Sequence, residues 1–215
     1  MSEVKSGQHD RIGLWMIVVV IALTAAVFFW TRSYYQHENT PLATHIDAQG
    51  QLHVLGITLG ETTLKQAEFI LKSKSDVALY IYPENHENAG RKLEAFFPAI
   101  ADHTKVILLL DMDREALDRL ESHATIPHLY PNKVARMNLA PDDRELLNQV
   151  VVRELTLIPN LTLSAENVTA RFGKPDALMA MENYDLYSYD KLGLQVRLNK
   201  TESPTLHFFN PITTP

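Results

Sequence analysis

The chain has 215 residues, 46% of them hydrophobic, a formal net charge of −6 and no cysteine. A mildly acidic chain without a basic stripe excludes nucleic acid as the expected partner. The missing thiols exclude a lipoprotein-type anchor and argue against a structural zinc site.

Residues 12–30 form an uncharged apolar run bracketed by Arg11 and Arg32. As a helix the run spans about 28 Å, close to the hydrocarbon thickness of a bilayer. It ends in the bulky Val27-Phe28-Phe29-Trp30 and is longer than a signal-peptide core, so an uncleaved signal anchor is expected. Trp15 at one end, and Trp30, Tyr34 and Tyr35 at the other, suit interfacial belts. Lys5 and Arg11 precede the run, whereas Arg32 stands alone until Lys65. That bias points to an N-terminus inside and a periplasmic C-terminal domain at a bacterial inner membrane. Residues 1–11 are then a cytoplasmic tail, and residues 31–50, polar and interrupted by Pro41, a tether.

Two later segments are alike. Aligning Ile57-Thr58-Leu59 with Leu161-Thr162-Leu163 also aligns Leu64 with Val168. Each has a short apolar entry, a capping residue (Thr62 or Ser164) and an amphipathic helix. Gly173 suits a helix C-terminus, and Pro175 blocks continuation. Strands are expected at 77–82, 92–97 and 105–110 after the first helix. After the second they are expected at 186–189, 194–198 and 205–209, with Asp190-Lys191-Leu192-Gly193 as a hairpin turn. Between the copies the pattern predicts a helix at 113–123, a strand at 133–139, a helix at 142–148 opened by Pro141, and a strand at 150–157.

The expected fold is therefore α+β. A transmembrane helix precedes two helix-plus-three-strand meander units, at 51–125 and 157–215, joined by 126–156. The helices would pack on one face of antiparallel sheet and leave the other largely open.

The second copy, with LTLS…V…RFGKPD and then YDLYSYDKLGLQVRL, resembles the SmpA/OmlA-type small periplasmic domain. A tandem of such units resembles the β-lactamase-inhibitor-protein architecture. The resemblance covers 157–211 well. In 55–110, Leu71-Lys72-Ser73 replaces the Phe-Gly-Lys-Pro ending. The resemblance implies binding of other proteins through the sheet and its loops, and it carries over no catalytic residue.

Three constellations bear on chemistry. Asp111 and Asp113 follow an apolar strand, where an acidic pair can hold Mg²⁺; alternatively, Asp113 caps the following helix. His103, His123 and His128 are dispersed in sequence but could converge, and His45 and His53 flank an expected turn. Tyr184, Tyr187, Tyr189, Phe208 and Phe209 form an aromatic set, either an exposed interaction surface or the face packed under the second helix.

No cofactor motif accompanies these residues, and no catalytic or metal site is assigned. The expectation is a membrane-anchored periplasmic protein, not an enzyme, that binds or scaffolds another envelope protein. One alternative is a metal-dependent hydrolase or transferase using Asp111 and Asp113. The other is a small-ligand sensor, which would need a separate signalling partner because residues 1–11 are too short for an output domain.

Overall fold

Period-two alternation builds the large sheet. In a computed structural model the described residues are 44–86, 88–100 and 103–211. The apolar run 12–30 and the expected tether up to residue 43 lie outside them. No helix among the described residues is long and apolar enough to cross a membrane.

The fold is α+β, with a large antiparallel sheet and few, short helices. A small sheet comes first, from β1 (His45–Ile46), β2 (Leu52–Val54) and β3 (Ile57–Thr58). Helix α1 (Leu64–Ile70) leads into β4 (Asp76–Tyr82), β5 (Gly90–Phe97) and β6 (Lys105–Leu110). Then come α2 (Arg114–His123), β7 (His128–Leu129), β8 (Ala135–Asn138), α3 (Arg144–Leu147) and β9 (Val152–Ile158). Helix α4 (Ala165–Phe172) precedes β10 (Ala177–Ala180), β11 (Tyr184–Tyr189), β12 (Leu194–Asn199) and β13 (Thr205–Phe208). The ten strands from β4 onward form one sheet in the order β10-β11-β12-β13-β9-β6-β5-β4-β8-β7.

Register places residues in rows across the strands. One row runs Phe97, Val106, Leu157, Leu206, Val196 and Tyr187, and every member is buried. Its neighbour runs Ala95, Leu108, Leu155, Phe208, Leu194 and Tyr189, also buried. These rows are the core. The intervening residues point to the opposite face and are mostly polar. Phe172 of α4 lies 5.8 Å from the Tyr189 ring, and Arg91, in phase with Leu93 and Ala95, pairs with Asp118 and Glu121 of α2. Those contacts put both helices on the core side. Leu64 and Ala67 of α1, Leu120 of α2 and Val168 of α4 are buried.

The caps follow the chemistry of free helix ends. Ser164 forms a capping box with Asn167 at α4, as expected of a Ser at that position. At α1 the cap is Thr63 with Gln66, one residue later than expected. Thr62 instead accepts the Thr58 N–H through Oγ1 at 2.9 Å, closing the turn before the helix. Gly173 has φ +83 and ψ −162, a glycine conformation but not the left-handed helical one. Gly193 has φ +58 in the β11–β12 turn, and a Cβ there would collide with the Phe209 carbonyl oxygen.

Further differences are local. Residues 44–50, expected in the tether, belong to the fold: β1 pairs with β2, and Asn210 donates to Leu59 O and accepts from Leu52 N–H. The segment 141–148 is a 3₁₀ turn followed by one α-turn. Strand β10 was not expected: Ala177-Leu178-Met179-Ala180 has no strand propensity, and its pairing with β11 sets its state.

A polar groove across the sheet

The residues alternating with the core line a groove on the other face, with a volume of about 460 Å³. It crosses β11, β12, β13, β9, β6, β5 and β4, seven adjacent strands. At about 4.8 Å between strands, that is a trough roughly 29 Å long. Its floor mixes Ile107, Leu109, Ile158 and Leu186 with Lys92, Glu94, Glu154, Thr156, Gln195, Arg197 and His207.

Two carboxylates sit near its middle. Register brings Glu94 of β5 and Glu154 of β9 to opposite sides of Leu109. The two environments differ. Burial raises the Glu94 carboxyl above its ordinary value, although it accepts the Tyr82 hydroxyl at 2.8 Å. Burial also pushes the Tyr82 phenol up, reinforced by the Glu94 charge. Glu154 is held below the ordinary range, chiefly by its bond to His207 Nε2 at 2.9 Å, against a burial penalty. A register shift between Leu109 and Leu110 adds a residue to β9, beside Glu154.

The cations are also engaged. Lys92 Nζ donates to Asn88 Oδ1 at 2.7 Å and lies 5.9 Å from the Tyr82 ring centroid. Arg197 lies over the Tyr184 ring at 4.1 Å. Charges of both signs are thus pre-oriented along a half-buried floor by partners in the same sheet.

The aromatic set divides between the two faces. Tyr187, Tyr189 and Phe208 are core residues, and the Tyr189 hydroxyl donates to Gly173 O at 3.1 Å. These three lie on the core face, and Tyr189 packs against Phe172 of α4. Tyr184 and Phe209 are half-buried; Tyr184 carries Arg197, and the Phe209 ring packs 5.6 Å from His207.

The acidic pair Asp111 and Asp113 is positioned otherwise. Asp113 caps α2, its Oδ1 accepting the Ala116 N–H at 2.7 Å, and Asp111 is exposed. His123 ends α2, His128 lies in β7 with its ring edge-on to Tyr130, and His103 precedes β6 with φ +62. Among the described residues no three His, Asp or Glu side chains group to hold a metal ion. His45 and His53 flank the first turn as expected and stack at 4.2 Å across β1–β2; His53 also bonds Asp47 at 2.9 Å.

Glu94, Glu154 and His207 carry no motif that singles them out in the sequence. Alternation within KLEAFF and RELTLI could have put Lys92, Glu94, Glu154 and Thr156 on the faces opposite the leucines. Only the register shows that they share one groove. No family model matches the chain, and no curated protein or solved structure does.

Proposed function

We propose that this is a single-pass membrane-anchored periplasmic protein whose α+β domain binds another envelope protein along the polar groove. The observation that carries the reading is the groove's form. A volume of about 460 Å³ spread over roughly 29 Å is a long, shallow trough, whereas small-molecule sites are compact and enclose most of their ligand. Such a trough suits an extended or flat polypeptide surface. Its charges give register and discrimination, and Ile107, Leu109 and Leu186 give apolar contact.

The membrane part rests on the uncharged run at 12–30 and its flanking basic residues. We also read the body as two helix-plus-meander units with helices on one face. The order α1-β4-β5-β6 supports this, as does α4-β10-β11-β12-β13, in which β10 adds an edge strand to the three-strand meander; β9 lies between the two meanders in the sheet.

The test is site-specific photo-crosslinking in membranes of the source cells, with the reactive residue replacing Gln195 in the groove or Lys133 outside it. A discrete heavier species from position 195 and none from 133 is expected. No adduct from 195, or the same adducts from both positions, would reject the groove as the binding face.

A further inference from the structure

Among the described residues Phe69 is the most exposed aromatic side chain. It lies on α1 with 86% of its area exposed, beside Ile70 at 36%. Burying a phenylalanine is worth about 2–3 kcal/mol, so the fold leaves a large apolar group unused. Hollows flank the ring on both sides, of about 580 and 480 Å³, and Lys65 and Phe69 line both.

Lysines outnumber acids around the ring, Lys65, Lys72 and Lys74 against the exposed Glu61 and the buried Glu68, on a chain with net charge −6. Lys65, Lys72 and Lys74 are all exposed. Lys74 is bonded to the buried Glu68 at 2.6 Å, while Lys65 and Lys72 pair with no acid among the described residues. Glu68 also accepts the Ser75 N–H and hydroxyl, at 3.0 and 2.8 Å, so its charge is used up beneath the surface. An exposed aromatic ringed by lysines is the chemistry of a helix that rests on an anionic lipid surface. The ring enters the headgroup boundary while the ammonium groups stay at the phosphates.

The position fits that occupant. Helix α1 adjoins the small sheet into which the preceding chain feeds: Ile70 Cγ2 lies 3.2 Å from where a Cβ on Gly56 would sit, between β2 and β3. Thirteen residues, 31–43, separate the apolar run from the first described residue. Such a segment spans about 20 Å as a coil and at most about 45 Å extended. The chain length therefore limits the gap between a membrane that holds residues 12–30 and Thr44 to about 45 Å.

We propose that the Phe69 patch, with Lys65 and Lys72, docks the domain onto anionic phospholipid of the membrane that anchors the chain. This rests on the anchor reading above. Docking would fix which way the polar groove faces and would make the domain's orientation depend on lipid charge. Each lysine near an anionic surface strengthens attachment about fivefold, and the effect is screened by salt.

The experiment uses the full chain in vesicles, with a solvent-sensitive fluorophore on Ser73→Cys, the only cysteine the variant would contain. Vesicles combine phosphatidylethanolamine with either phosphatidylglycerol or phosphatidylcholine, with acyl chains brominated to quench. At least twofold stronger quenching in the phosphatidylglycerol vesicles is expected. High salt, Phe69→Ser, or the double change Lys65→Glu and Lys72→Glu should reverse it, with circular dichroism unchanged. A fluorophore on Leu178→Cys, in β10, should not be quenched. Absent quenching at 73, or quenching equal in both lipids and indifferent to salt, overturns the proposal, including the case in which a protein covers the patch. Alkaline extraction of the same vesicles separates the two readings. Protein that is retained but unquenched rejects docking alone, and protein that is stripped off rejects the anchor.

Discussion

The two faces of the ten-stranded sheet are made by the same strands and differ in every other respect. On one, rows such as Phe97, Val106, Leu157, Leu206 and Val196 are closed off from water. On the other, Phe96, Ile107, Thr156, His207 and Gln195 alternate with them and stay half-buried. The core face is interchangeable hydrocarbon, whose value is volume and packing density. The polar face is a set of particular pairs, Tyr82 with Glu94 and His207 with Glu154, whose value is orientation. A one-residue slip in any strand would exchange the two, so the alternation that stabilises the core also writes the groove.

Adjacent residues of β9 test this division most sharply. Leu155→Ala removes a fully buried side chain between Leu108 and Phe208, and should cost about 3 kcal/mol in urea denaturation. Glu154→Gln should cost about 1 kcal/mol at pH 7, through loss of the charged bond to His207. Because the folded Glu154 carboxyl lies below its ordinary value, its contribution is present above the ordinary value and is lost as pH falls through the folded one. Wild type and variant should therefore converge only once the pH has fallen below the folded value, on the acid side of an ordinary glutamate.

Glu94 should behave in the opposite sense. Burial raises its folded value, so its contribution is present at low pH and is lost as pH rises through that value. Glu94→Gln keeps an acceptor for Tyr82 and should raise stability at pH 7 by up to about 1 kcal/mol, a gain that fades on acidification. If both glutamine variants shift stability in the same direction with pH, the contrast between the two carboxylates fails. Thr156→Ala, beside Leu155 but on the polar face, should change stability by no more than about 0.5 kcal/mol. A larger loss would mean that the polar face also carries the fold.

Much of the sheet is legible in the chain. Runs such as Val106–Leu108 and the turn ending in Gly193 carry local chemistry strong enough to set their own state, and Asp113 announces α2 by its cap. What local chemistry does not decide is pairing. Ala177–Ala180 is a strand because β11 offers it hydrogen bonds, and residues 44–46 are folded because β2 does. The groove is legible only in fragments. Glu154 and His207 stand 53 positions apart, and Glu94 reaches Glu154 only across β6. Phe69 gives the reverse lesson: its helix is plain in the sequence, but its outward direction depends on which side of α1 meets the core.

The location of β13 sets an order of assembly. It lies between β12 and β9 in the middle of the sheet, yet it follows β9 in the chain by more than forty residues. When the chain emerges from a ribosome or a translocation pore, β9 can already pair with β6 while its other edge waits unfilled. Closing it requires the loop through α4, β10, β11 and β12 to return first. That long-range closure is slow relative to the hairpins on either side. During this interval the row of free amide and carbonyl groups on β9 is an open strand edge that another chain can pair with. A chaperone that shields extended edges would find its client there.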